Sequence, residues 1–135
     1  MKSKLLYTSI AGLGFACSAW AHHSFSAEFD TNKPVELKGV VTKIEWTNPH
    51  TWIYVDVKDE NGKVTPWAVE GDPPNILYRN GWRKDAIRPG QTITIDGHRA
   101  KDGTNTAHIH MITLPDGSKV WAGRSAGGAP PPESK

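Results

Sequence analysis

Apolar residues alternating with polar ones, in short runs cut by Gly, Pro, Asn and Asp, constrain this chain more than any other feature. Val35 to Trp46 is rich in β-branched and apolar residues and reads as one long strand, with Gly39 its expected bulge or bend. Thr47-Asn48-Pro49-His50 is a turn. From Trp52 to Val57 the alternation is strict: Ile53, Val55 and Val57 share one face, Trp52, Tyr54 and Asp56 the other. Asp59-Glu60-Asn61-Gly62 turns the chain into a third strand, Val64 to Glu70, where Pro66 implies an edge or a bulge. A short helix comes next, with Asp72 the expected N-cap, a proline in its first turn, Ile76, Leu77 and Trp82 facing the core and Gly81 at its end. Gln91 to Arg99 and Thr106 to Leu114 are the fourth and fifth strands, and a small hairpin closes at Val120-Trp121.

Three strands, a short helix and two strands make an all-β domain over residues 35–123, expected as a five-stranded OB-fold-like Greek-key barrel. An open meander or small sandwich is the alternative with the same strand content. Residues 22–34 are expected as an extended N-terminal segment, and the Gly-, Ala-, Pro- and Ser-rich residues 124–135 as a disordered tail.

Residues 1–21 read as a secretory signal peptide: Lys2 and Lys4, an apolar stretch from Leu5 to Ala16, then Ala19-Trp20-Ala21 as the cleavage site. The apolar stretch is shorter than the ~20 residues of a transmembrane helix, and no later segment approaches that length. Cys17 sits in a poor lipidation context and leaves with the signal, so the mature chain of 114 residues has no cysteine. The expected location is the periplasm. Without Lys2 and Lys4 the mature chain carries 14 basic against 14 acidic side chains, which excludes the basic footprint of a general nucleic-acid binder.

Several runs carry a family likeness. These are His22-His23-Ser24-Phe25, Glu28-Phe29-Asp30, Trp46-Thr47-Asn48-Pro49-His50-Thr51-Trp52-Ile53-Tyr54, Pro74-Asn75, Gly81-Trp82, Arg88-Pro89-Gly90 and Ala100-Lys101-Asp102-Gly103. Together they resemble a family of small exported proteobacterial proteins catalogued as domain of unknown function 6152. The resemblance implies export and a single β-rich domain, and brings no activity with it.

Three constellations could carry chemistry. Cleavage after Ala21 makes His22 the first residue, whose α-amine and ring nitrogen can chelate one metal ion; His23 or His50 is the expected third nitrogen donor. Such an all-nitrogen set suits Cu(II) and resembles the histidine brace of some secreted copper proteins. In the second, a turn near Gly103 sets His98 opposite His108 and Asp96 opposite His110, a divalent-metal arrangement if Ile93, Ile95, Ile109 and Met111 share the core face. In the third, Trp52 and Tyr54, with Trp46 and the His50 loop, form an aromatic face for a small ligand, glycan or periplasmic protein. Against these stand a frayed terminus, a polar strand face and a packed outer surface. Catalysis has little support, since Ser24, Ser26, Ser118 and Ser125 lack a nucleophile elbow and no phosphate-cradling glycine loop is present. The expected function is therefore binding, of copper or of a ligand on the aromatic face, with redox copper chemistry the one catalytic alternative.

Overall fold

A computed structural model describes residues 24–123. The expected leader, His22, His23 and the tail from residue 124 lie outside the described residues. Helix α1 (Ser24–Glu28) runs directly into β1 (Phe29–Trp46), followed by β2 (Thr51–Lys58), β3 (Val64–Gly71), α2 (Pro74–Arg79), β4 (Thr92–Ala100), β5 (Thr106–Thr113) and β6 (Lys119–Trp121). The strands form one mostly antiparallel sheet in the order β3-β2-β1-β4-β5-β6. Strand β3 also pairs in parallel with β5, through Ala68↔Thr106, Val69↔Ala107 and Glu70↔His108. The domain is all-β. No helix among the described residues is long and apolar enough to cross a membrane.

The inward half of each alternating run builds the core. Ile53 and Val55 of β2, Val69 of β3, Ile93 and Ile95 of β4 and Ile109 of β5 are all buried, and Leu77 of α2 packs on them with Trp82. The expected inward place of Met111 is a correction: it is half-exposed, and Ile112 is buried instead. Gly97 pairs with Ile109 while Asp96 pairs with Met111, so His110 is an extra residue that turns the phase of β5 by one. Ile112→Val is expected to cost about 1 kcal/mol in urea unfolding, and Met111→Val less than about half of that. Equal costs would contradict the flipped phase.

Other expectations change for local reasons. Strand β1 starts at Phe29 and not Val35, because Phe29 pairs with Ala100 and the run from Pro34 to Val40 pairs with β4. Phe29 and Pro34 are paired on either side of a register break, and the polar residues Asp30 to Lys33 between them leave no periodic trace. The register break of β1 against β2 lies between Val41 and Lys43, not at Gly39. Gly39 is wedged between Val57 and Ile93, and a Cβ on it would come 2.8 Å from the Asp56 carbonyl oxygen. Asp72 is not the N-cap of α2. Pro73 holds that position, and its carbonyl accepts from the amides of Ile76 and Leu77. Pro66 pairs with Asp56 before β3 meets β5, in the part of the strand with a neighbour on one side only.

Candidate functional site

On the outer face of the sheet, one cross-strand row joins two constellations that the sequence kept apart. Glu45 of β1 pairs with Trp52 of β2, Trp52 with Glu70 of β3, Glu70 with His108 of β5, and His108 with His98 of β4. The parallel β3–β5 pairing is the link that carries the row from the aromatic strands to the histidine strands. Cross-strand partners sit about 5 Å apart, so these side chains are neighbours in sequence along the row.

Helix α1 lies over the histidine end. The Phe25 ring meets the His108 ring edge-on at 4.8 Å and the His98 ring at 6.4 Å, and Phe29 approaches His108 at 5.4 Å. The Lys101 amide donates to the Glu28 carbonyl at 2.8 Å, and Lys101 Nζ donates to the Ser26 carbonyl at 2.5 Å. Both bonds fasten α1 to the turn between β4 and β5. Beneath it His108 keeps only 7% of its surface exposed. Burial, and then the nearness of His50, His98 and His110, push its pKa down to about 4, so the ring is neutral across the physiological range.

Two ionisable groups meet at the centre of the row. His50 reaches in from the turn before β2, where the Asn48–Pro49 peptide is cis, and its Nδ1 lies 2.6 Å from Oε1 of Glu70. The contact is close but lies off the ring N–H axis, since Nδ1 makes no hydrogen bond of acceptable geometry. The Glu70 side chain is 7% exposed and that of His50 37%. Burial raises the Glu70 carboxyl above its ordinary range; His50 works against this, and Glu28 and Asp72 add to it.

The expected His98–His108 pairing is present. Asp96 pairs with Met111 rather than His110, because His110 occupies the bulge. Even so, His98, His110 and Asp96 border one cavity of about 440 Å³, together with Glu36 and Pro34. Among the described residues no three His, Cys, Asp or Glu side chains are disposed to hold a metal ion. A metal centre built from His50, His98, His108 and His110 alone therefore has no preformed ligand set.

The aromatic set divides. Trp52 and Tyr54 face outward as expected, but Trp46 shares the inner face with Ile44 and meets Trp82 at 5.7 Å, edge-on. Tyr54 is engaged locally: its hydroxyl donates to Glu45 Oε2 at 3.1 Å, and Glu45 also takes the Lys43 ammonium. Trp52 borders a second cavity, of about 360 Å³, beside Glu70 and the end of α1. Glu70 is the residue that sequence reasoning missed. Its one signal was a carboxylate closing an otherwise apolar strand end, Trp67-Ala68-Val69-Glu70-Gly71.

A family of unknown function, DUF6152, matches residues 11–109, most of the chain, including His50, Glu70, His98 and His108. The chain belongs to this family. For this DUF6152 member, no match was found among curated proteins or among solved structures. Its function accordingly has to come from the row itself.

Proposed function

We propose that this protein is an exported, periplasmic metal-binding protein, copper preferred, whose ligands are the α-amine and ring of His22 and a further imidazole from His23 or from the histidine row. One observation carries the reading: α1 packs Phe25 on His98 and His108, at the point where the chain arrives from His23. At 3.8 Å per residue, covalent geometry keeps the Cα of His23 within about 8 Å of that of Phe25. Neutral imidazoles and a free amine favour Cu(II) over harder ions.

The pairing circuit β1–β2–β3–β5–β4–β1, with α2 between β3 and β4, supports reading the domain as a five-stranded OB-type Greek-key barrel. In that fold the outer face of β2 and β3 is the usual ligand platform, and here the row crosses it. The second reading, a metal-free interaction module, is favoured by the Trp52 cavity but not by Tyr54, whose hydroxyl is already engaged.

The test is a Cu(II) titration by calorimetry and electron paramagnetic resonance, on protein exported by a bacterial host and shown by intact mass to begin at His22. One equivalent should bind with nitrogen hyperfine structure. His22→Ala, or one extra residue ahead of His22, should weaken binding by about a hundredfold or more, since lost outer partners alone cost 10–100-fold. Affinity should also fall as pH drops through the histidine range. Weak, non-stoichiometric binding that ignores these changes would overturn the reading.

A further inference from the structure

The far end of β1 carries an apolar cavity that the metal reading leaves unused. Strand β4 accompanies β1 only as far as Val40, and Gly90 and Gln91 then bond to Val41. Past that point the loop between α2 and β4 stands along β1, and a cavity of about 380 Å³ opens between them. Its walls are Ile44 and Trp46 from β1 and Ile87 and Pro89 from the loop. Ile87 is buried, whereas Ile44 and Trp46 pack on the core with part of their surface and leave the rest open. The Trp46 ring meets the buried Trp82 edge-on at 5.7 Å, so its open part is a wall already set in place.

Positive charge gathers on the loop side. Residues 79–88 contain Arg79, Arg83, Lys84 and Arg88 against Asp85 alone, whereas residues 22–135 as a whole balance 14 basic side chains with 14 acidic ones. Arg83 lies over the Tyr78 ring at 4.0 Å and donates to the Tyr78 and Trp82 carbonyls. Arg88 stands 3.9 Å from Asp85, and both border the cavity, so their charges offset each other. Lys84 borders it too, and makes no hydrogen bond or ion pair among the described residues. The lining therefore joins four apolar side chains to one uncompensated positive charge. Its complement is one negative charge on an apolar body: the body displaces water from Ile44 and Trp46, and the charge stays at the exposed rim beside Lys84. A space of about 380 Å³ is on the scale of a small-molecule site.

We propose that this cavity binds a small organic monocarboxylate, its apolar body against Trp46, Ile44 and Ile87 and its carboxylate on Lys84. None of the histidines of the metal reading borders it, so either site can fail without the other.

4-Phenylbutyrate is the probe, titrated into the exported protein in excess chelator so that copper plays no part. Calorimetry and amide chemical shifts are the readouts. Binding is expected with shifts centred on Ile44, Trp46, Lys84 and Ile87, and the uncharged 4-phenylbutyramide should bind about three- to fivefold more weakly, the scale of an exposed charge pair. Lys84→Gln should weaken the carboxylate to the level of the amide and leave the amide unchanged. Lys84→Glu should turn the preference to 4-phenylbutylamine. Trp46→Leu should weaken all three ligands about three- to tenfold, the scale of one aromatic pair. Lys84 is exposed, so its variants keep the test decisive should Trp46→Leu fail to fold. No binding, shifts centred elsewhere, equal affinity for carboxylate and amide, or full affinity in Lys84→Gln would each overturn the proposal. So would a dimer in sedimentation that Lys84→Glu dissociates, which would give the face to a second copy of the chain.

Discussion

Gly97→Ala is expected to destabilise the domain by about 3 kcal/mol or more. Gly97 lies in mid-sheet, paired with Val35 on one side and Ile109 on the other, at the bulge where His110 is extra. A Cβ built on it would overlap the backbone carbonyl of His108, with the Ile109 Cα close behind. Backbone locked between two strands cannot give way as a side-chain tip can. The overlap would have to be relieved by parting β4 from β5, which also pulls His98 away from His108. Gly103→Ala is the control: it lies in a turn at φ +79° with nothing within 4 Å of the added atom, so only the left-handed strain of about 1–2 kcal/mol applies. Urea unfolding of both variants decides the matter. If Gly97→Ala loses no more stability than Gly103→Ala, the close packing of β4 on β5 is wrong.

The second large effect is a dependence on acid. An unfolded chain protonates His108 near pH 6.5, whereas the folded one does so only near pH 4. The folded state therefore binds fewer protons between these values, and stability falls as pH drops through that window, levelling off below it. The full difference corresponds to about 3 kcal/mol. Glu70 acts in the opposite direction, because its raised folded pKa lets the native state take up a proton before the unfolded chain does. Comparison with His108→Gln cancels Glu70 and every other shared group. In chelator, wild-type protein should lose about 3 kcal/mol more than His108→Gln between pH 7 and pH 4. Parallel pH profiles would mean that His108 is hydrated and not sealed under Phe25 and Phe29.

Much of the fold is legible in the residues themselves, because a strand with one face buried writes its period into its side chains. Ile53 and Val55, Ile93 and Ile95 all face inward as their alternation requires, and the Asp59–Gly62 and Lys101–Gly103 turns fall between strands. Where backbone pairing alone makes the structure, that period is absent. Pro34, in β1, is held by its pairing with His98; Asp30 to Lys33 lie at the register break between Phe29 and Pro34, and Ser24 to Glu28 form a helix too short to show a repeat. The bulge at His110 defeats the period outright: Met111 and Ile112 exchange roles through one inserted residue. Of the site, His98 and His108 were legible as partners because a hairpin brings them together locally. Glu70 and its link to His108 were not, since a parallel contact between strands separated by α2 and β4 leaves no local mark. Trp46 was grouped with Trp52 by residue type, although adjacent-strand pairing turns it to the inner face.

That same parallel contact governs when the row comes into being. Hairpins such as β1–β2 and β4–β5 close short loops and can form early, whereas joining Glu70 to His108 requires the chain between them to be folded back first. A partly folded molecule can therefore hold His98 beside His108 and Trp52 beside Glu70 without holding the two pairs together. Any ligand that spans the row recognises only chains that have finished folding. In a compartment patrolled by proteases, such a ligand would extend the lifetime of the molecule by drawing down the open population that is cut.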